Sequence, residues 1–162
     1  WLDFLQQYDF GGILADDMGL GKTLQTLALV QRMKESNLLL QPALVLAPTS
    51  LMGNWVNEAL QFTPELDVCL IHGPERASRF VEMETADLVI TSYPLILRDA
   101  EHYSEQGFSL LVLDEAQAIK NPKTKLAKQV RELKAQRRLC LTGTPLENHL
   151  GELWALMDFD RE

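Results

Sequence analysis

The chain has 162 residues, of which 46% are hydrophobic and 23% charged, and its formal net charge is −8 at pH 7. This length and composition suffice for one domain with a full core, and they exclude a disordered or fibrous protein. The apolar runs are much shorter than the roughly 20 residues of a membrane helix, so we expect no membrane span or signal peptide. The excess of acidic over basic residues argues against an obvious nucleic-acid-binding protein.

Neither end of the chain shows a natural terminal feature, so we interpret residues 1–162 as one domain from a longer polypeptide. Cys69 and Cys140 lie in apolar, strand-like runs. This indicates buried, reduced thiols and an intracellular protein rather than a disulfide framework. The three histidines, His72, His102 and His149, lack the spacing of metal ligands, and we expect no metal site built from them.

Short apolar runs alternate with amphipathic stretches along the chain. Strands are predicted at 12–15, 43–47, 68–72, 87–91, 110–113 and 138–141, and the stretch 101–107 resembles a loop. The first helix is expected to place Leu24, Leu27 and Ala28 on one face, and the second Met52, Trp55, Val56, Ala59 and Leu60. This alternation predicts an α/β fold, a mainly parallel sheet with helices on both faces.

Residues 16–23 read Asp-Asp-Met-Gly-Leu-Gly-Lys-Thr and follow the first predicted strand. A glycine-bearing turn that leads from a strand into a helix and ends in Lys-Thr is typical of a phosphate-binding loop. Backbone N–H groups would surround the phosphates, Lys22 would reach the β- and γ-phosphates, and the Thr23 hydroxyl would hold Mg²⁺. The predicted nucleotide contacts are Asp17, Met18, Gly19, Leu20, Gly21, Lys22 and Thr23.

The predicted strand 110–113 runs into two carboxylates, Asp114 and Glu115. In phosphate-loop enzymes the first acid helps to hold magnesium, and the second can orient and deprotonate a water molecule. An exposed acidic turn is the alternative, but the upstream phosphate loop favours a nucleotide site with both residues in it. A water-activating acid favours hydrolysis over transfer to a second substrate, which makes a kinase less favoured.

Polar clusters also follow three other strands, at 48–50, 91–92 and 142–145. Ligands of parallel sheets bind at the carboxyl ends of the strands, so these clusters are candidates for function. Eight lysines and arginines but one acid lie between Lys120 and Arg138. A solvated helix face is the favoured interpretation of this basic run, and a surface that contacts phosphate or a partner is the alternative.

Together these motifs resemble the first RecA-like lobe of a Swi/Snf-family ATPase, within helicase superfamily two. The matching blocks are 14–23, 44–51 with 54–55, 90–93, 113–117 with 119–121, and 141–148, in the order of the family. They cover nearly the whole chain. Asp16, which replaces the usual first glycine of a phosphate loop, is a feature that the family shares. The Asp-Glu-Ala-Gln block at 114–117 is similar to that of prokaryotic members.

The resemblance implies hydrolysis of ATP with Mg²⁺, coupled to translocation along double-stranded DNA and to remodelling of protein–DNA complexes. It implies that Gln117 acts in the catalytic set with Lys22, Asp114 and Glu115, as a relay between the nucleotide and a second lobe. Thr142, Gly143 and Thr144 would couple the state of the γ-phosphate to lobe movement. Four residues would follow the DNA through backbone-phosphate contacts: Thr49, Ser50, Thr91 and Ser92. Strand-end capping is the alternative for each hydroxyl.

The resemblance also implies a second RecA-like lobe of the same chain, and an adenine-contacting glutamine motif before Trp1. An isolated first lobe is therefore expected to bind nucleotide weakly and hydrolyse little. The expected partners are this second lobe, double-stranded DNA and DNA-bound proteins, with no membrane. The expected location is intracellular, in the cytoplasm or nucleoid of a prokaryote or in the nucleus of a eukaryote. Two alternatives stay open, a strand-separating or RNA helicase lobe and a nucleotide-binding scaffold without turnover. The intact set of Lys22, Thr23, Asp114 and Glu115 argues against the scaffold.

Overall fold

The fold is a six-stranded sheet with helices on both faces, seen in a computed structural model that describes residues 12–15, 20–119, 121 and 123–143. For residues 12–15 and 20 only the backbone is described. The strands are β1 (Gly12–Ala15), β2 (Ala43–Ala47), β3 (Val68–Leu70), β4 (Leu88–Ser92), β5 (Gly107–Leu113) and β6 (Lys134–Thr142). Their order is β1-β6-β5-β2-β4-β3, and every described pair is parallel. The predicted α/β fold is thus confirmed.

The helices connect these strands and cover the sheet. They are α1 (Leu20–Glu35), α2 (Met52–Phe62), α3 (Phe80–Met83), α4 (Tyr93–Arg98), α5 (Ala100–Tyr103) and α6 (Lys125–Glu132). Single 3₁₀ turns occupy Thr49–Leu51, Arg76–Arg79 and Ala116–Ala118. Among the described helices, none is long and apolar enough to cross a membrane.

The core consists of two layers, one on each face of the sheet, because successive residues of a strand point to opposite faces. In β2, Leu44 and Leu46 pack with the residues of α4, α5 and α6, whereas Val45 packs with those of α1 and α2. All five residues of β2 and of β4 are buried. Both faces of these central strands are therefore covered, as their mostly apolar sequences predict.

Some predicted boundaries and faces are wrong. The predicted loop at 101–107 instead contains the end of α5, which is anchored by the fully buried Tyr103. Strand β3 ends at Leu70 rather than at 72, and β4 ends at Ser92. Strands β5 and β6 begin earlier than predicted because Gly107 pairs with Lys134, which extends the ladder into a polar segment.

The helix faces also differ in part from the predicted ones. Ala28 is exposed, and the buried stripe of α1 instead includes Leu27, Val30 and Met33. In α2, Leu60 is 60% exposed, while Met52, Trp55 and Ala59 are buried as predicted. Both errors concern residues directly after a buried one, about 100° around the helix from it.

The two cysteines, Cys69 and Cys140, are free and buried, which confirms their predicted burial. Burial raises the pKa of the Cys140 thiol to about 12, and it also raises the pKa of Cys69.

The basic run does not form one solvated face. Lys125 and Lys128 are exposed on α6, whereas Arg138 is only 3% exposed; Lys120 lies outside the described residues. The Arg138 guanidinium donates to the backbone carbonyls of Val130 at 2.7 Å and Leu133 at 2.6 Å. These carbonyls lie at the end of α6, where the helix supplies few donors; the Val130 carbonyl also accepts from the Leu133 N–H at 3.3 Å. Arg138 therefore fastens α6 to β6.

Candidate nucleotide site

The carboxyl ends of β1, β6 and β5 lie side by side and place the predicted nucleotide residues at one edge of the sheet. Ala15 at the end of β1 pairs with Thr142 of β6, and Leu113 at the end of β5 pairs with Cys140. The end of β6 thus lies between the end of β1 and the Asp114–Glu115 turn. Asp16, Asp17, Met18 and Gly19 fall outside the described residues, and α1 begins at Leu20.

Lys22 carries a buried ammonium group without a hydrogen-bond acceptor among the described residues. The residue is 3% exposed, and its Nζ lies 3.7 Å from Glu115 Oε1. A buried charge is costly unless it is paired and hydrogen-bonded, and one ion pair without a hydrogen bond compensates it only in part. The arrangement therefore suits an anionic ligand such as a phosphate group. Thr23, the next residue of α1, is 6% exposed.

Asp114 is buried, and its carboxylate and carbonyl oxygens accept three hydrogen bonds. Its Oδ2 accepts from Trp55 Nε1 at 2.8 Å, its Oδ1 accepts from the backbone N–H of Glu115 at 2.9 Å, and its carbonyl oxygen accepts from the Tyr93 hydroxyl at 2.7 Å. Burial raises the pKa of Asp114, and the Trp55 hydrogen bond opposes that increase. A carboxylate and the Thr23 hydroxyl are hard oxygen ligands of the kind that Mg²⁺ prefers, so this pair fits the predicted ion.

Glu115 adopts a backbone conformation that is rare for a residue with a side chain. Its φ is +50°, in the left-handed region. Such conformations cost of order 1–3 kcal/mol and cluster at functional sites. Asp114 and Glu115 make separate contacts, since Asp114 bonds to Trp55 while Glu115 lies against Lys22 and Gln117. The separate roles predicted for the two acids are compatible with this geometry.

A line of side chains connects Lys22 to the end of β6. Gln117 Nε2 donates to Glu115 Oε2, and Thr142 Oγ1 donates to Gln117 Oε1 at 2.8 Å. Lys22, Glu115, Gln117 and Thr142 therefore form one connected network. Thr144 lies outside the described residues, and Gly143 directly follows β6. The catalytic and coupling roles of these residues stay predictions.

The four predicted DNA residues fall into two groups. Thr49 and Ser50 are exposed in the 3₁₀ turn after β2. Thr91 is fully buried and its hydroxyl donates to the carbonyl of Ile71 at 3.0 Å, while Ser92 Oγ accepts from the backbone N–H of Leu95 at 3.4 Å and caps α4. Both hydroxyls of the second group are thus used within the fold. DNA contact by these residues stays a prediction.

Thr49 and Ser92 nevertheless line one groove of about 390 Å³, beyond the carboxyl ends of β2, β3 and β4. Arg76, Arg98 and His72 also line it. Arg76 forms a two-pronged pair with Asp99, at 2.7 and 3.0 Å, whereas Arg98 is exposed. Arg76 and Arg98 were not predicted as site residues, because both lie outside the sequence motifs that directly follow the strands.

Sequence reasoning also missed the contacts of Trp55 and Tyr93 with Asp114. The sequence places Trp55 on an apolar helix face, and it places both residues in blocks that match the family, without indicating a contact for either. A buried indole or phenol usually finds a hydrogen-bond partner, and this was the available signal. The partner itself could not be identified without the fold.

A parallel sheet whose first strand is followed by a phosphate-loop sequence, with an acidic pair after β5, is typical of a RecA-like domain. The family model of the SNF2-related domain matches residues 1–162. The chain belongs to this family, and the predicted resemblance to Swi/Snf ATPases is confirmed.

Similar proteins occur in bacteria, archaea and eukaryotes. YwqA of Bacillus subtilis is 46% identical over 98% of this chain, which corresponds to 18% of YwqA. The human SWI/SNF-related matrix-associated actin-dependent regulator of chromatin subfamily A member 1 is 43% identical over 98% of this chain and 16% of its own length. The solved Sulfolobus solfataricus SWI2/SNF2 ATPase core in complex with dsDNA is 44% identical, with a TM-score of 0.87.

This chain spans less than a fifth of these two curated relatives. The match to the Sulfolobus solfataricus core covers 98% of this chain and 33% of the solved one. The similarity therefore concerns one domain of larger proteins.

Proposed function

We propose that this domain binds and hydrolyses ATP with Mg²⁺ as the first lobe of a motor that translocates on double-stranded DNA. The observation that carries the proposal is the buried Lys22 ammonium, which has no hydrogen-bond acceptor in the described part of the chain and lies 3.7 Å from Glu115. Phosphate oxygens supply the missing acceptors. Membership of the SNF2-related domain family supports the same activity.

Each residue of the network has a distinct role in this proposal. Lys22 binds the phosphates, while Thr23 and Asp114 supply oxygen ligands for the ion. Mg²⁺, when bound, neutralises charge on the phosphates. Glu115 accepts a proton from the attacking water, and Gln117 orients the Glu115 carboxylate through its hydrogen bond to Oε2. Thr142 holds Gln117 in turn, so the end of β6 is connected to the water-activating acid.

The DNA would cross the carboxyl edge of β2, β4 and β3. The groove lined by Thr49, Ser92 and Arg98 lies at this edge, and Arg98 supplies an exposed positive charge. Contacts of this type bind the phosphate backbone without reading sequence. A solved relative, the Sulfolobus solfataricus ATPase core, is in complex with dsDNA. A second lobe of the same chain would complete the ATP site, and DNA-bound proteins would be the objects of remodelling inside the cell.

The test is ATP hydrolysis by the full-length protein with duplex DNA, single-stranded DNA and RNA compared side by side. We expect stimulation by duplex DNA and loss of hydrolysis in Lys22→Ala and Glu115→Gln, with nucleotide binding retained in Glu115→Gln. Glu132→Gln is the matched control, because Glu132 is exposed on α6. Hydrolysis that survives in both site variants would contradict an enzymatic role. Stimulation by RNA alone, or separation of a tailed duplex, would favour a helicase instead.

A further inference from the structure

Asp114 is held from opposite faces of the sheet by two aromatic side chains. Trp55 belongs to α2 and to the core layer of α1 and α2, and it is 1% exposed. Tyr93 is the first residue of α4, belongs to the other core layer and is 6% exposed. The two hydrogen bonds, 2.8 and 2.7 Å long, reach the carboxylate and the backbone carbonyl of the same residue.

The two bonds restrain different parts of Asp114. The Trp55 indole fixes the rotation of the carboxylate through Oδ2, while Oδ1 is bonded to the N–H of Glu115. The Tyr93 hydroxyl fixes the peptide that joins Asp114 to Glu115, directly before the residue with φ +50°. A fourth bond, from the Asp114 N–H to the carbonyl of Leu46 at 2.8 Å, ties its backbone to β2. Both the direction of the carboxylate and the turn after it are thus restrained.

Both aromatic residues are firmly held themselves. Large side chains in a close-packed core cannot move without moving their neighbours. Trp55 lies on the buried stripe of α2, between Met52 and Ala59, which are 3% and 0% exposed. Tyr93 lies in a capped helix start, since Ser92 accepts from the N–H of Leu95.

We propose that Trp55 and Tyr93 are positioning residues that hold Asp114 in the orientation in which its carboxylate binds magnesium. The inference rests on the proposed nucleotide site and adds two residues to it. Hydrogen-bond partners of metal-binding side chains orient them, and loss of such a partner typically costs 10–100-fold in metal affinity. The competing explanation is that Asp114 merely satisfies two buried donors. In that case removal of a donor changes stability and leaves the magnesium requirement unchanged.

The test uses the full-length protein and the variants Trp55→Phe and Tyr93→Phe, which keep a buried ring and remove the donor. Thr63→Val is the matched control. It removes a buried hydroxyl bond of 3.0 Å, to the carbonyl of Ala59, at the end of the same helix α2, and Thr63 has no described contact with Asp114. Binding of a fluorescent N-methylanthraniloyl-ADP is titrated with MgCl₂ and repeated in EDTA.

We expect the Mg²⁺ concentration for half-maximal binding to rise about tenfold in Trp55→Phe, and less in Tyr93→Phe, because the phenol contacts the backbone rather than the carboxylate. Binding in EDTA should not change, and Thr63→Val should match the wild type throughout. Unchanged Mg²⁺ dependence in a folded Trp55→Phe variant would overturn the inference, as would an equal change in Thr63→Val. If Trp55→Phe does not fold, Tyr93→Phe decides alone. If the wild type itself shows no Mg²⁺-dependent binding, the proposed function fails as well.

Discussion

The Thr142 hydroxyl at the end of β6 donates a 2.8 Å hydrogen bond to the amide oxygen of Gln117, in the turn that follows β5. Gln117 donates in turn to Glu115, which lies against Lys22. A side chain at the end of one strand is thereby joined to the acid after the neighbouring strand. Through this bond, a movement of Thr142 can change the orientation of Glu115, as the predicted coupling role of Thr142 requires.

Thr142→Val should therefore lower turnover more than nucleotide affinity. The substitution keeps the shape of the side chain and removes the donor, so that Gln117 no longer holds Glu115 in one orientation. We expect a loss of about tenfold in kcat for DNA-stimulated ATP hydrolysis, equivalent to about 1.4 kcal/mol, with a smaller change in KM.

Steady-state kinetics of the full-length protein with duplex DNA measure both parameters. Thr63→Val is again the control, since its hydroxyl bonds to Ala59 in α2. A change in KM alone, with kcat intact, would show that Thr142 contributes to binding and not to the orientation of the acid.

Arg138→Met should loosen α6 without a general loss of the fold. Arg138 is buried and donates to the carbonyls of Val130, Arg131 and Leu133. The Val130 carbonyl keeps its bond from the Leu133 N–H at 3.3 Å, so the loss concerns the carbonyls of Arg131 and Leu133. A buried acceptor left unsatisfied costs about 1–3 kcal/mol, so we expect a local loss of about 2–6 kcal/mol for these two carbonyls together. Hydrogen exchange of the full-length protein should show faster exchange in α6 and in the first half of β6.

Lys134→Met is the matched control for this variant. Lys134 is also on β6, but its side chain is 59% exposed and its ion pair with Glu105 is 3.7 Å long. Exposed pairs of this kind contribute about 0–1 kcal/mol. Equal rates of amide hydrogen exchange in α6 of the two variants would contradict the role of Arg138 in holding α6 against β6.

Arg98→Ala should weaken binding of duplex DNA and reduce its dependence on salt. Arg98 is exposed and lines the groove beside Thr49 and Ser92. If it contacts one phosphate, the slope of log affinity against log salt should fall by about one. Fluorescence anisotropy with a labelled duplex of fixed sequence, at several salt concentrations, measures the slope.

Lys128→Ala serves as the comparison, because it removes the same charge from the exposed face of α6. An unchanged slope in Lys128→Ala with a reduced slope in Arg98→Ala assigns the DNA to the groove. The reverse result would assign it to the basic run, which sequence analysis had left open.

Cys140 should resist alkylation far more strongly than an ordinary thiol. It is fully buried, and burial raises its pKa to about 12. A raised thiol pKa lowers the thiolate fraction, to about one in ten thousand at pH 8, and the thiolate is the reactive form. Iodoacetamide labelling at pH 8, followed by mass spectrometry, should modify Cys140 only after unfolding in urea. Rapid labelling of Cys140 in the native protein would contradict the packing of β6.

The parts of the fold that were predicted from sequence depend on local patterns. The apolar runs of β2 and β4 and the Gly-Lys-Thr segment at the start of α1 are such patterns, and they sufficed to predict the sheet and the edge at which the candidate site lies. Trp55 and Asp114 are 59 positions apart, and Thr142 and Gln117 are 25 apart. No periodicity encodes contacts at such distances, since they depend on how strands and helices are packed.

Arg138 illustrates a different limit. A basic residue near other basic residues is expected to be solvated, because burial of an unpaired charge is costly. The sequence does not show that the open carbonyls at the end of α6 would meet its guanidinium. The end of α5 was missed for a similar reason, because Tyr103 anchors a stretch that is otherwise rich in polar residues.

Strand β6 is hydrogen-bonded on both sides, to β1 and to β5, along parallel ladders. A pull along its axis would load both ladders in shear, so that many hydrogen bonds would share the load at once. Sliding of β6 along its axis is therefore strongly resisted. A force that reaches Thr142 would be resisted by both ladders, so β6 would act as a fixed anchor for Gly143, the residue that follows it.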